Sequence, residues 1–115
     1  MVYVFKNLKI KHFERTGVAD GGSFDVEEKI GVSGVLKYIL INMNGSRPTK
    51  STITILLDDE PITRDRTLCK IFGDSVNVAI ELDKRVSDTT VFKCEGVNKE
   101  GATVDVSIDL LIDAV

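Results

Sequence analysis

Few residues of this sequence have side chains suited to catalysis. His12 is the only histidine among the 115 residues, and there are two cysteines and no tryptophan. No Ser or Asp near His12 has the context of a nucleophile elbow, so a Ser-His-Asp triad is not indicated. His12 shares its strand parity with Leu8 and Ile10, which places it at the rim of a core. We therefore predict that the protein is not an enzyme, with no catalytic residues and no cofactor.

The two cysteines do not form a metal-binding motif. Cys69 and Cys94 lie far apart in the sequence and match no ligand spacing such as Cys-x-x-Cys. We expect two free, buried thiols. A disulfide or a reactive cysteine is the alternative.

Three consecutive acidic residues, Asp58, Asp59 and Glu60, precede Pro61. Calcium prefers carboxylates clustered on loops, but an EF-hand loop needs ligands at alternate positions, a central Gly and a terminal Glu. The sequence therefore predicts an acidic, solvated turn and no metal site. A cation bound at this turn is the alternative.

The charge balance argues against a nucleic-acid partner. The chain has 15 Lys and Arg against 18 Asp and Glu, a net charge of −3, and nucleic-acid binding normally needs a basic face. The densest basic stretch places Lys9, Lys11 and Arg15 on one face of a strand and Leu8 and Ile10 on the other. We interpret it as a solvated strand face, with contact to an acidic partner as the alternative.

No membrane segment or signal peptide is predicted. The longest uncharged stretch, Tyr38 to Ser46, is far shorter than the roughly 20 residues of a spanning helix. Lysines at positions 6, 9 and 11 interrupt any apolar region near the start of the chain. We therefore expect no membrane partner.

The elements that position these residues are strands, because apolar residues recur at every second position. The longest such series is Ala102, Val104, Val106, Ile108, Leu110 and Ile112. Shorter series are Ile53, Ile55 and Leu57, and Val76, Val78, Ile80 and Leu82. This period is typical of a strand with one face in a core and one in water.

The segment from Val35 to Met43 is apolar at both parities. A strand covered on both faces has this composition, and a buried helix is the competitor. Its β-branched and aromatic residues, and the Asn44-Gly45 turn that follows, favour the strand. If this strand and the long strand at 102–112 lie at sheet edges, they must pair with a neighbouring copy or be protected.

We predict an all-β fold, with residues 1–115 forming one domain. Turn residues at regular intervals delimit about eight strands: 2–13, 23–29, 33–43, 50–58, 66–72, 75–83, 88–96 and 101–114. One helical turn is possible within 64–72. This pattern indicates an antiparallel β-sandwich or jelly roll, with a small barrel as the alternative.

Several segments resemble a known class of protein. They are Phe24 to Val26, Gly31 to Gly45, Ser51 to Leu57, Ile62 to Leu68, Gly73 to Val78 and Ala102 to Ile112. This pattern resembles small β-sandwich structural proteins of tailed phages and related viruses. The resemblance implies no catalytic residue. It implies assembly, with repeated copies forming a ring, spike, tail or capsid decoration.

The expected function is therefore that of a virion or virion-like structural protein, which self-assembles and docks onto a larger particle. Its partners are other copies of itself and other virion structural proteins, in the virion or in the host cytoplasm during assembly. The predicted contact residues are Tyr38, Leu40 and Met43, opposite Val35, Ile39 and Ile41. The alternative is a ligand-binding β-sandwich module, specific for carbohydrate or dependent on calcium.

Overall fold

Two antiparallel sheets pack face to face in the computed structural model, which describes residues 4–63, 67–76 and 78–115. These residues form nine strands and one 3₁₀ turn at Cys69–Ile71. The strands are β1 (Leu8–Val18), β2 (Ser23–Lys29), β3 (Gly34–Met43), β4 (Thr52–Leu57), β5 (Glu60–Pro61), β6 (Thr67–Leu68), β7 (Lys84–Val86), β8 (Val91–Val97) and β9 (Val104–Ala114). No helix in the described part of the chain has the length and apolar character needed to cross a membrane.

The strand order is that of a jelly roll. The first sheet has the order β1-β9-β3-β7 and the second has the order β2-β8-β4-β5, with β6 also paired to β4. The first strand thus pairs with the last, β2 with β8, β3 with β7 and β4 with β5, as in one long antiparallel hairpin wrapped into two sheets. The predicted all-β antiparallel sandwich is confirmed.

The core lies between the two sheets. Alternate residues of β9 point inward and are buried, as the period-two pattern predicts: Val104, Val106, Ile108, Leu110 and Ile112. They pack with residues of the second sheet, among them Ile53, Ile55 and Phe92. The Phe13 and Phe92 rings stack across the sheets with centroids 5.3 Å apart. Each large apolar side chain buried here contributes about 1.5–3 kcal/mol.

Most predicted strands occur near their predicted positions. The strand at 23–29 is found with those bounds, and the strands at 33–43, 50–58, 88–96 and 101–114 differ from β3, β4, β8 and β9 by a few residues. The first strand starts at Leu8 and continues to Val18, later than predicted. The predicted strand 66–72 contains β6 and the 3₁₀ turn. Residues 2, 3, 66 and 77 of the predicted strands lie outside the described residues.

The predicted strand at 75–83 is wrong. The described residues of this segment are irregular, and the short strand β7 begins only at Lys84. The ladder between β3 and β7 ends at the pair Leu36–Lys84, next to a bulge between Leu36 and Tyr38 in the ladder of β3 with β9. Beyond it, Ile41 N–H donates to the Gly73 carbonyl, 2.9 Å, and Leu82 N–H donates to the Lys37 carbonyl, 2.8 Å. The alternating apolar residues of segment 75–83 therefore do not form a strand. Beyond the bulge, the backbone of β3 is not in register with this segment.

Candidate functional site

Both cysteines are buried, free and part of the same core, as predicted. Burial raises the pKa of Cys69 to about 12 and that of Cys94 to about 12. Since the thiolate is the reactive form of cysteine, neither side chain is poised for nucleophilic chemistry in the folded protein.

His12 lies on the solvent-facing side of β1, so its predicted position at the rim of the core is wrong. Its Nδ1 bonds the carboxylate of Asp109 on β9, and its Nε2 is 3.0 Å from Glu14 Oε1. The hydrogen bonds to Asp109 and then to Glu14 raise the pKa of His12. The contact between His12 and Asp109 links the edge strand β1 to β9. The cluster is an exposed ion-pair cluster.

The acidic turn is part of a tight hairpin. Asp58 and Asp59 both have positive φ, 50° and 63°, and join β4 to β5 as the two central residues of a turn with the signs of type I′. Asp58 Oδ1 accepts a hydrogen bond from the Val91 amide, 2.9 Å. In the described ranges, no three His, Cys, Asp or Glu side chains converge as metal ligands. Asp58 thus has a structural partner within the chain.

The predicted contact residues lie on opposite faces of β3. Met43 has the parity of Ile39 and Ile41 and lies in the core with them, so its grouping with Tyr38 and Leu40 is wrong. The bulge between Leu36 and Tyr38 reverses the parity before it, so Leu36 lies in the core and the predicted grouping of Val35 with Ile39 and Ile41 is also wrong. Tyr38 and Leu40 lie on the outer face of the first sheet, the face turned away from the core. Tyr38 is only 2% exposed.

The long strands β3 and β9 are not sheet edges. Each is hydrogen-bonded on both sides, β9 between β1 and β3, and β3 between β9 and β7. The expectation that these strands need a neighbour at an open edge is therefore wrong. β3 is apolar at both parities because it carries apolar side chains on its outer face as well as in the core.

Directly paired residues show which side chains adjoin on the outer face. Ile10 on β1 pairs with Leu111 on β9, and Leu111 pairs with Tyr38 on β3. In antiparallel strands, such partners lie on the same face with Cβ atoms about 5 Å apart. These three residues form an apolar row across the sheet. In the next row, His12 pairs with Asp109 and Asp109 with Leu40.

The apolar row is covered at one end and open at the other. The Phe5 ring packs against Tyr38 with centroids 6.1 Å apart, and the Tyr38 hydroxyl donates to Glu81 Oε1, 3.4 Å. Leu111 is buried between its neighbours. Ile10, at the β1 end of the row, remains 57% exposed and Leu8 44% exposed. The apolar surface that stays exposed on the outer face therefore lies at β1.

Lys37, the bulge residue, fixes the segment beside Tyr38. Its side chain is largely buried, and Nζ bonds Asp83 and lies 3.4 Å from Glu81 Oε2. The hydrogen bond that Lys37 donates to Asp83 raises the pKa of Lys37 and lowers the pKa of Asp83. This ion pair holds the irregular segment against β3 and completes the border of the outer face.

A second exposed feature is the side of the sandwich where β1 and β2 are the edge strands. Arg15 Nε donates to the Asp25 carbonyl, 2.8 Å, so the two edges adjoin. β1 presents Lys9 and Lys11, and β2 presents Glu27 and Glu28; we call this side the β1–β2 seam. Among the ion pairs of the described residues, none involves these four side chains. Since β1 also carries Glu14 and β2 also carries Lys29, both strands of the seam have charges of both signs.

Sequence reasoning missed the most extensively hydrogen-bonded carboxylate of the described chain. Glu100 accepts hydrogen bonds from the amides of Thr49, Lys50 and Ser51 and from the hydroxyls of Thr49 and Ser51, at 2.6–3.0 Å. Burial raises its pKa, but these bonds outweigh that effect and lower it to about 2. This interaction joins the β3–β4 and β8–β9 loops. No local motif signals it, because the partners are distant in sequence.

No family model, curated protein or solved structure matches this chain. The resemblance to structural proteins of tailed phages therefore stays a prediction. The function has to be argued from the surfaces described above.

Proposed function

We propose that this protein is a structural subunit that self-assembles and docks onto a larger particle of virion or virion-like type. The observation that carries the proposal is the apolar row Ile10–Leu111–Tyr38 on the outer face of the first sheet. An antiparallel sheet that faces water on one side normally alternates apolar residues inward with polar residues outward. The outer face of the first sheet departs from this rule, because its central row consists of apolar side chains.

The occupant we propose for the outer face is the same face of a second copy. β1, β9 and β3 have 11, 11 and 10 residues. With a rise of roughly 3.3 Å per residue and a strand spacing of roughly 4.8 Å, they present roughly 500 Å². Two such faces in full contact would bury at most about 1,000 Å² in total, the lower limit for a specific interface. Within the row, Ile10 is the member that a second copy can contact, since Leu111 and Tyr38 are already buried within one copy.

Jelly rolls occur in viral capsid domains, and also in lectins and cupins. The fold therefore permits a particle subunit without requiring one. The side chains also favour a structural role. His12 is bonded to Asp109 and both cysteines are buried in the core. The exposed apolar side chains include Ile10, in the row, and Leu8 beside it.

The test is the mass of the protein by size-exclusion chromatography with light scattering, over a tenfold concentration range. We expect a discrete oligomer of the 12.7 kDa chain. Ile10→Gln should lower the mass, because it removes apolar area from the outer face without changing charge. Leu68→Gln is the matched control, since Leu68 is exposed on β6 of the other sheet. A monomer at every wild-type concentration would refute the proposal.

A ligand-binding module is the second candidate, favoured by one shallow cleft on the second sheet. The cleft has a volume of about 290 Å³ and is lined by Ser23, Thr52, Thr54 and Glu95, among others. Hydroxyl and carboxylate groups suit a sugar, although no aromatic ring is among the described lining residues. A monomeric protein whose melting temperature rises with calcium or a sugar would favour this candidate.

A further inference from the structure

A small cavity lies between the two sheets at the side of the sandwich where β7 and β5 end the strand orders. Its volume is about 160 Å³, below the roughly 300–1,000 Å³ of pockets for drug-sized ligands and close to the roughly 150 Å³ of a cavity that holds benzene. A ligand of this cavity is therefore a small molecule. The lining includes Leu57, Asp58, Glu60, Ile62, Lys84 and Arg85.

Two charged residues of the lining face the cavity from opposite sheets. Lys84 on β7 pairs directly with Leu36 on β3, and Glu60 on β5 pairs directly with Leu57 on β4. Direct partners in antiparallel strands lie on the same face of their sheet. Since Leu36 and Leu57 belong to the core, Lys84 and Glu60 lie on the core sides of their edge strands. The space between the sheets at this side is thus bordered by one basic and one acidic side chain.

Each wall of the cavity has a second charge of the same sign. Arg85 adjoins Lys84 on β7, and Asp58 lies in the turn before Glu60. Among the ion pairs of the described residues, none joins these four side chains to one another. The cavity therefore has a basic wall and an acidic wall whose charges do not neutralise each other by direct contact.

The charges and the apolar surface of the lining together restrict the class of ligand. A ligand with a single charge would find a partner at one wall only. A zwitterion finds one at each, because its carboxylate can accept hydrogen bonds from Lys84 and Arg85 and its ammonium can donate to Glu60. Leu57 and Ile62 offer apolar surface to an aliphatic group. A free aliphatic α-amino acid combines a carboxylate, an ammonium and an aliphatic group in one small molecule.

We propose that the cavity between β7 and the β4–β5 hairpin binds a free aliphatic α-amino acid. The basic wall binds the carboxylate, the acidic wall binds the ammonium, and the apolar residues contact the side chain. Asp58 is fixed in the acidic wall by the hydrogen bond that its Oδ1 accepts from the Val91 amide. The cavity is at the β7 edge of the first sheet and Ile10 is at the opposite, β1 edge, so this inference does not depend on the proposed self-assembly.

The test is a calorimetric titration of the full chain with L-valine, together with the melting temperature at each L-valine concentration. We expect saturable binding and a rise in melting temperature, because the ligand binds only the folded state. Isobutylamine lacks the carboxylate, isovalerate lacks the ammonium, and glycine lacks the aliphatic group. Each of the three should bind about tenfold more weakly than L-valine, or less tightly still, since each leaves part of the cavity without a partner.

Variants of the two walls locate the binding. Lys84→Gln and Glu60→Gln should each raise the Kd for L-valine about tenfold or more, because each removes a charged hydrogen-bond partner. Lys70→Gln and Glu27→Gln remove the same charges from exposed positions outside the lining and should leave the Kd unchanged.

The inference is overturned if L-valine does not bind up to its solubility limit, or if the wall variants and their controls bind it equally well. Equal binding of L-valine, isobutylamine and isovalerate would also overturn it, because the two charged walls would then not select a zwitterion. A protein that self-assembles without binding L-valine would refute this inference alone. A monomer that binds L-valine would refute the proposed self-assembly alone.

Discussion

The ring of Phe24 occupies the space that a side chain at position 96 would fill. Phe24 on β2 pairs directly with Gly96 on β8. A Cβ atom added to Gly96 would lie 2.2 Å from Cζ of the Phe24 ring. Both residues are buried, so the ring has no open space to move into. A glycine within a strand thus allows an aromatic side chain to pack on the backbone of its neighbour.

Gly96→Ala should therefore destabilise the fold by about 1–3 kcal/mol, the usual cost of overpacking a core. The measurement is the free energy of unfolding in urea. In the Phe24→Leu background, the smaller side chain leaves room for the new methyl group, so the same change should cost less. Equal costs in the two backgrounds would show that the Phe24 ring is not what the alanine meets.

The sequence predicts an element correctly where the residues that determine it are close together in the chain. β2 is found at its predicted bounds because Phe24 and Val26 alternate with charged residues and the turn glycines precede it. In β3 the strand is correct but the face of Val35 is not, since the bulge at Lys37 reverses the parity there, and Lys37 bonds Asp83 and Leu82. Such bonds join residues distant in sequence, which no short-range pattern encodes.

Sequence patterns also do not determine which side chains adjoin on the outer face and at the seam. The period-two pattern of β1 separates Lys9 and Lys11 from Leu8 and Ile10, but the interpretation of the lysine side as the solvated face is wrong. The lysines have the parity of the buried Phe13, and Leu8 and Ile10 lie on the outer face, 44% and 57% exposed. That Ile10 adjoins Leu111, and Leu111 adjoins Tyr38, depends on the order β1-β9-β3, which the pattern does not determine. The seam likewise exists because β1 and β2 are edges of different sheets that meet on one side.

Glu100 should contribute stability that acid removes. Its pKa is lowered from 4.5 to about 2 on folding. The hydrogen bonds to Thr49, Lys50 and Ser51 are thus fully effective above pH 4.5 and are lost as the pH falls towards 2. At pH 7, Glu100→Gln should destabilise the fold by about 2 kcal/mol, because an amide replaces a charged acceptor.

The check is urea unfolding of wild type and Glu100→Gln between pH 7 and pH 2.5. The difference in unfolding free energy should shrink as the pH falls below 4.5. Glu60→Gln is the control, since Glu60 is exposed and should show a small difference throughout. A Glu100→Gln difference that stays constant with pH would contradict the role of the ionised carboxylate.

The buried thiols should resist modification in the native state. Burial raises the pKa of both Cys69 and Cys94 to about 12, so almost no thiolate exists at pH 8. A chromogenic disulfide reagent should label neither residue in the folded protein and should label both in denaturant. Rapid native labelling of one cysteine would mean that the core around it opens, and Cys69→Ala and Cys94→Ala would identify which one.

His12 should titrate above its usual range because of its two acidic neighbours. The hydrogen bonds to Asp109 and Glu14 favour the imidazolium and raise the pKa from 6.5. For a cation whose pKa rises on folding, the stabilisation is fully present below pH 6.5 and is lost as the pH increases through the folded value. His12 is half exposed, so the contribution to the free energy of unfolding is only about 0.5 kcal/mol. An NMR titration of the imidazole protons measures the pKa directly. Asp109→Asn should lower it more than Glu14→Gln does, because Asp109 makes the stronger bond. If neither variant shifts the titration, the imidazole does not bridge β1 and β9 through these carboxylates.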